Sequence, residues 1–180
     1  MIEKTRKKEM LAAVRQYLEY RLKGGKKPEL SSEDFYREKR GLFVTLHKNG
    51  ALRGCIGYIE GFKPLSDALF DMAESAAFRD PRFPPLTAGE LPDVDIEISV
   101  LSPLKKVAGY RDIRIGRHGI VLKMGLHQAV FLPQVAPEQN WDLPTTLQHL
   151  CLKAGLPADA YKRNECEFYV FTADIFSESS

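Results

Sequence analysis

Two β-rich runs flank the dipeptide Asn49-Gly50 and give the strongest indication of how this chain folds. Asn-Gly suits the two positive-φ positions of a type I′ turn, so the pattern predicts a β-hairpin. Residues 120–124 and 129–132 form a similar pair of runs around Gly125, which predicts a second hairpin. The chain therefore contains at least two pairs of antiparallel strands.

Further elements follow from the spacing of apolar residues. Residues 94–100 alternate apolar and polar side chains, which predicts a strand with one buried face, and the aromatic-rich residues 166–175 predict a final strand. Apolar side chains at three- and four-residue steps predict three amphipathic helices. The first helix ends at Gly24-Gly25, the second begins at Pro64, and the third begins at Asp142 or Thr145.

The order of these elements indicates the fold class. Strands outnumber helices and are joined by hairpins rather than by helical crossovers, which favours an α+β fold with antiparallel sheets. A length of 180 residues suits one domain, so we predict a single compact domain over residues 1–180 with helices flanking the sheets. The repeated order of hairpin and helix adds an expectation of two unequal lobes, with no boundary set by the sequence.

Composition limits the classes of partner and compartment. The 26 basic and 24 acidic residues leave a net charge of +2, which is too small to favour nucleic acid or a membrane surface. No apolar run reaches the length of a membrane span, and the first residues lack the apolar stretch of a secretion signal. With Cys55, Cys151 and Cys166 at unrelated spacings, we expect reduced thiols in a cytoplasmic protein. Nucleotide-binding and metal-binding motifs are absent, so no cofactor is expected.

Residues 52–57 read Leu-Arg-Gly-Cys-Ile-Gly, with two glycines inside a predicted strand. Glycine in a strand often marks a bulge or a close approach by a ligand or another backbone. Arg53 and Cys55 are two residues apart, so an extended strand allows a reactive thiol beside a cation. The alternative is a small buried thiol in a tightly packed strand.

A proline-rich loop and two later segments hold further polar candidates. Asp80 and Arg82 lie in the loop, which is interpreted either as an anion clamp or as a turn held by its own Asp–Arg pair. His118 lies between the glycines of Gly116-Arg117-His118-Gly119 and is either a general base or part of an ordinary turn. Gln134 lies near Trp141, the only tryptophan, which more commonly anchors a loop to the core. Cys55 and His118 form the one nucleophile-and-base pair that can be proposed from the sequence.

Five motifs, taken in order along the chain, resemble those of one known family. They are residues 52–57, residues 78–86 (Phe-Arg-Asp-Pro-Arg-Phe-Pro-Pro-Leu), residues 96–102 (Ile-Glu-Ile-Ser-Val-Leu-Ser), His118-Gly119, and residues 132–136 (Leu-Pro-Gln-Val-Ala). The chain resembles the AMMECR domain family, also called AmmeMemoRadiSam system protein A in prokaryotes. The resemblance covers nearly the whole chain, with the basic start and residues 26–40 as its weakest stretches.

The resemblance implies a compact α+β domain with antiparallel sheets in two unequal lobes. It also implies a shared pathway with a Memo-type protein and a radical SAM protein, because prokaryotic members are often encoded beside both. This association names partners but no mechanism. By residue-wise match the resemblance implies these candidate site residues: Cys55 and His118 as catalytic, and Arg53, Asp80, Arg82, Glu97 and Gln134 as binding.

Two functions remain as hypotheses. The first is a Cys-dependent enzyme or enzyme component in which Cys55 is the nucleophile or covalent carrier, Arg53 and Arg82 hold an anionic group, and His118 transfers protons. The second is a non-catalytic adaptor or a module that binds a small-molecule ligand in a groove around Arg53. RNA binding is disfavoured, because the net charge is small and no stripe of aromatic and basic residues occurs.

Overall fold

A computed structural model describes residues 1–179 of the chain. It has five α-helices and eight β-strands within these residues, joined by loops and three short 3-10 turns. The helices are α1 (Lys4–Lys23), α2 (Asp34–Arg37), α3 (Leu65–Phe78), α4 (Val135–Glu138) and α5 (Leu143–Lys153). The strands are β1 (Leu42–Lys48), β2 (Ala51–Tyr58), β3 (Val94–Leu101), β4 (Lys105–Lys106), β5 (Gly119–Met124), β6 (His127–Phe131), β7 (Glu167–Phe171) and β8 (Ala173–Ser177).

The chain divides into two compact units. The first unit contains residues 1–101 and the C-terminal segment from Asp174, and the second contains residues 102–173. The first unit holds a four-stranded sheet, here called sheet A, in the order β2-β1-β3-β8. The second unit holds the other sheet, sheet B, in the order β4-β7-β5-β6. The strand pairs β1–β2, β1–β3, β4–β7, β5–β6 and β5–β7 are antiparallel, so the predicted α+β class is confirmed.

Sheet A has one face covered by helices. Helix α3 packs on β1 and β2, and α1 packs on α3 and β3. The buried face of β1 is apolar, with Leu42, Val44 and Leu46 fully enclosed. Because side chains alternate along a strand, the residues between them, Phe43 and Thr45, project from the opposite face.

Sheet B forms a second core with helix α5. Leu147, Leu150 and Cys151 of α5 pack with Phe168 of β7 in this core. The Asp142 side chain accepts a hydrogen bond from the Thr145 backbone N–H at 2.8 Å, so Asp142 is the N-cap of α5. Cys151 is thus a core residue of the second unit.

The single final strand expected over residues 166–175 is wrong. Two strands occupy this region, and Thr172 separates β7 in sheet B from β8 in sheet A. Both strands are rich in apolar and aromatic residues, so composition alone did not separate them. No helix within residues 1–179 is long and apolar enough to cross a membrane.

Candidate functional site

Three side chains on the face of sheet A opposite helices α1 and α3 form a row across neighbouring strands. Thr45 of β1 lies directly opposite Cys55 of β2 on one side and Glu97 of β3 on the other. Directly opposed residues of antiparallel strands project from the same face with Cβ atoms roughly 5 Å apart. Thr45 Oγ1 donates a hydrogen bond to Cys55 Sγ at 3.2 Å. We call these three residues the Cys55 row.

The register of the hairpin decides which face carries Cys55. In a regular hairpin closed by the two-residue turn Asn49-Gly50, Cys55 would lie opposite Val44, which is a fully buried core residue. The observed partner is Thr45, one residue further along β1. A shift of one residue moves a side chain to the other face of the sheet, so the sulfur projects away from the core.

A β-bulge at Arg53 causes this shift. Leu46 pairs with Gly54 and His47 pairs with Leu52, which leaves Arg53 as an extra residue without a partner in β1. Gly54 therefore faces the helices, where an added Cβ would lie 2.1 Å from the Ala76 carbonyl oxygen of α3. The bulge and the close backbone approach are the two features that glycine in this strand predicted.

Arg53 is paired within the unit. Its Nε donates to Glu90 Oε1 at 3.0 Å and its Nη2 donates to Glu90 Oε2 at 3.1 Å, which is a two-pronged ion pair. The hydrogen bonds from Arg53 are the main reason why the pKa of the Glu90 carboxyl lies well below its usual range. Arg53 itself is buried, and its Nη1 has no hydrogen-bond partner among residues 1–179.

Asp80 and Arg82 hold the proline-rich loop against the backbone of Cys55. The Cys55 N–H donates to Asp80 Oδ2 at 2.9 Å, and Arg82 Nη2 donates to the Cys55 carbonyl oxygen at 3.1 Å. Strand β2 is an edge of sheet A, so these contacts satisfy main-chain groups that an edge strand leaves unpaired. The loop thereby fixes the position of Cys55.

Asp80 and Arg82 also pair with each other. Arg82 donates to Asp80 through Nε at 2.9 Å and through Nη2 at 2.7 Å, and this contact holds the pKa of the buried Asp80 carboxyl well below its usual range. The turn-stabilising pair predicted as one alternative is therefore present. The Arg82 side chain remains 53% exposed, so a solvent-facing guanidinium lies beside the Cys55 backbone.

His118 and Gln134 belong to the second unit, whereas the Cys55 row belongs to the first. The Arg114 N–H donates to His118 Nδ1 at 3.2 Å, so the neutral ring carries its proton on Nε2. Burial, followed by the charges of Arg117, Arg114 and Lys105, lowers the pKa of His118. This shift favours the uncharged ring, and the pairing of His118 with Cys55 stays a prediction.

Gln134 lies at the N-cap position of the short helix α4, and its Oε1 is buried without a hydrogen-bond partner among residues 1–179. Nearby, Trp141 stacks on His149 with ring centroids 4.0 Å apart. This contact agrees with the expectation of a tryptophan that anchors its loop.

Within residues 1–179, no cluster of three or more His, Cys, Asp and Glu side chains is placed to hold a metal ion.

Comparison with known proteins identifies the family. The AMMECR1 family model matches residues 11–176, which is nearly the whole chain. The chain belongs to the AMMECR1 family. A protein of Methanothermobacter thermautotrophicus is 45% identical over 177 residues, covering 94% of this chain and 92% of that protein. Protein MK0488 of Methanopyrus kandleri is 44% identical over 179 residues, covering 94% and 86% of the two chains.

A solved structure supports the same assignment. The crystal structure of the uncharacterised protein PH0010 from Pyrococcus horikoshii has a TM-score of 0.84 and 36% sequence identity to this chain. The match covers 98% of this chain and 93% of PH0010. The resemblance found in the sequence is thus confirmed, and the AMMECR1 match extends over both units.

Two residues of the AMMECR1 chain that contact the candidate site were missed by the sequence analysis. Glu90 binds Arg53, and Thr45 donates to the Cys55 sulfur. Glu90 lies 37 positions from Arg53, and no spacing rule connects them. Thr45 could have been predicted from the sequence, because a hairpin closed at Asn49-Gly50 pairs Thr45 with Cys55 when a bulge at Arg53 is included.

Proposed function

We propose that this AMMECR1-family chain is a Cys-dependent enzyme or enzyme component in which Cys55 is the nucleophile or covalent carrier. One observation carries the proposal: the bulge at Arg53 turns the Cys55 side chain from the core face to the polar face of sheet A. A thiol held in the core would need no such irregularity, because free cysteines pack well as small apolar residues. Residues 1–180 form one AMMECR-type domain in this proposal.

The neighbours of Cys55 have separate roles in the proposal. The Thr45 hydroxyl gives the sulfur a hydrogen-bond donor, which stabilises negative charge there. The exposed Arg82 guanidinium binds an anionic group of the substrate, while Asp80 fixes both Arg82 and the Cys55 backbone. Arg53 acts through Glu90, Glu97 lies at the far end of the row, and Gln134 contributes a polar contact. His118 is the proposed proton-transfer residue.

The partners in the proposal come from the family resemblance. Memo-type and radical SAM proteins would act in the same pathway, in the cytoplasm, where thiols stay reduced. The free state of Cys55, Cys151 and Cys166 is compatible with that compartment.

Native alkylation with iodoacetamide tests the nucleophile. Burial raises the pKa of Cys151 and raises that of Cys166 to about 11, so both thiols serve as slow internal controls. Mass spectrometry should show Cys55 modified at least about tenfold faster than either control, because the thiolate is the reacting form. Rates in urea correct for the intrinsic differences between the three peptides. Equal native rates at Cys55 and Cys166 would remove the nucleophile role.

A matched pair of variants separates reactivity from simple exposure. Thr45→Val removes the donor to the sulfur at nearly constant volume, and Ser99→Ala removes another buried hydroxyl from the same face. The first should slow Cys55 alkylation and the second should not. Identical rates in both variants would assign the reactivity to exposure alone.

The second candidate function is a non-catalytic adaptor or ligand-binding module. It is favoured by the hydrogen bond to Cys55 Sγ, which comes from a hydroxyl and not from a base. Capture of the purified Memo-type and radical SAM proteins by wild type and by Cys55→Ala distinguishes the two. Unchanged capture with unchanged pathway output in Cys55→Ala supports the adaptor, whereas unchanged capture with lost output supports the enzyme.

A further inference from the structure

A basic cavity of about 570 Å³ lies entirely within the second unit. Its wall includes five cationic side chains and one acidic side chain: Lys105, Lys106, Arg111, Arg114, Arg117 and Asp112. The volume falls within the range of small-molecule sites, roughly 300–1,000 Å³. The whole chain carries a charge of only +2, so this excess of positive charge is local.

Most of this charge is not neutralised by the protein. Lys106 forms an ion pair with Glu167. None of the ion pairs formed within residues 1–179 involves the cationic groups of Lys105, Arg111, Arg114 or Arg117. Like charges gathered on one wall repel each other, and an anion that binds between them relieves this repulsion.

The backbone that carries these cations is held by its own hydrogen bonds and strand pairing. The Arg117 and His118 N–H groups both donate to the Arg114 carbonyl oxygen, at 3.2 and 2.9 Å, and Gly116 has a φ of 78° that suits the turn. Lys105 lies on β4, which pairs with β7 through Val170. A preordered wall lowers the entropy lost on binding.

His118 adds a ring N–H donor to the cavity. Its Nδ1 is occupied by the Arg114 N–H, which leaves the proton on Nε2. Burial and the nearby charges of Arg117, Arg114 and Lys105 lower its pKa, and Lys106, Arg111 and Asp112 are the other charged groups on the wall. A bound anion would offset this positive field and raise the pKa of His118 again.

We propose that the basic cavity is a binding site for a small molecule that carries a diphosphate or a comparable cluster of phosphate groups. Guanidinium groups match phosphate oxygens in geometry, and three arginines line the wall. No Phe, Tyr or Trp among residues 1–179 lines the cavity, so the base stacking that binds single-stranded nucleic acid is absent. The cavity shares only His118 with the residues of the proposed function, and its ligand goes beyond that function.

Isothermal titration with inorganic pyrophosphate tests the site on the full chain. Wild type should bind pyrophosphate at one site, with an affinity that falls as salt rises. Arg114→Gln/Arg117→Gln should weaken binding at least about tenfold, because two charge-assisted contacts are lost. Lys4→Gln/Lys8→Gln removes two exposed charges from α1 in the first unit and should bind like wild type. Equal weakening in both double variants would overturn the proposal.

A second double variant and two competing ligands distinguish a phosphate site from a general anion-binding surface. Lys105→Gln/Arg111→Gln removes two further cations of the wall and should show a similar loss, which keeps the test valid if the first double variant fails to fold. Citrate and a twelve-nucleotide oligouridine should each bind more weakly than pyrophosphate, and tighter binding of either would overturn the phosphate assignment. By proton NMR, saturating pyrophosphate should raise the pKa of His118, and an unchanged His118 titration would place the anion elsewhere.

Discussion

Gly54 has no side chain at the point where strand β2 meets helix α3. A Cβ at this position would lie 2.1 Å from the Ala76 carbonyl oxygen, and backbone atoms of a helix cannot shift as a side chain can. We therefore expect Gly54→Ala to lower the free energy of unfolding by about 1–3 kcal/mol or more, as overpacked sites do. Urea unfolding followed by far-UV circular dichroism measures the change.

Gly89 provides the matched control for this substitution. It lies in the loop before β3, has no positive φ, and would place its Cβ in open space. Gly89→Ala should change the free energy of unfolding by less than about 0.5 kcal/mol, as surface substitutions do. Similar losses in the two variants would show that the α3 contact does not explain Gly54.

At the level of single residues, the sequence predicted which segment holds the candidate site but not which way its side chains project. The glycines of residues 52–57 indicated a bulge or a close approach, and both occur. The bulged residue Arg53 is bound through its guanidinium by Glu90 from a distant loop. Such a contact forms only in the folded chain, so it could not be predicted from the residues next to Arg53 in the sequence.

Glu90 connects three elements of the first unit. Its carboxylate accepts hydrogen bonds from Lys48 of β1 at 3.2 Å, from Arg53 of β2, and from the Thr87 N–H at 3.1 Å. Glu90→Ala leaves the buried Arg53 charge without a partner, which should lower the free energy of unfolding by about 3 kcal/mol. Urea unfolding of wild type and variant measures the loss.

A double variant tests whether the unpaired charge is the cause. Arg53→Met/Glu90→Leu replaces both charged groups with apolar side chains and should recover most of the stability, because no buried charge remains. Asp34→Asn breaks the exposed pair between Asp34 and Arg37 and should leave the stability almost unchanged. A double variant that is less stable than Glu90→Ala alone would contradict a role for the unpaired charge.

At the level of elements, local turn chemistry was the most reliable guide. Asn49 and Gly50 have φ angles of 52° and 78°, as the predicted type I′ turn requires, and Asp142 caps α5 as one of the two expected residues. The run over residues 166–175 was misread as one strand. Phe168 of β7 packs in the core of the second unit, and Phe176 of β8 packs in the core of the first unit. The type of an aromatic residue does not indicate in which of two cores it packs.

At the level of the whole molecule, the near-equal numbers of basic and acidic residues conceal a local excess of positive charge. The net charge of +2 did not favour nucleic acid or a membrane surface as a partner, yet residues 105–117 contain five cations and only Asp112 as an acidic residue. This run of cations is visible in the sequence. Only the structure shows that the turn at residues 114–118 and strand β4 place these cations around one cavity. Net charge describes long-range attraction, whereas a binding wall depends on local arrangement.

Carboxyl groups of both units should make the fold sensitive to acid. Hydrogen bonds lower the pKa of Asp80 in the first unit, chiefly through Arg82, and that of Asp142 in the second, chiefly through Thr145. A carboxyl with a lowered native pKa stabilises the fold above its unfolded pKa of about 4 and loses that contribution as pH falls. Asp142→Asn keeps a good N-cap residue but removes the titration. Between pH 7 and pH 3, its urea midpoint, followed by Trp141 fluorescence, should therefore fall less than that of wild type. An equal fall in both proteins would show that Asp142 does not contribute to the acid sensitivity.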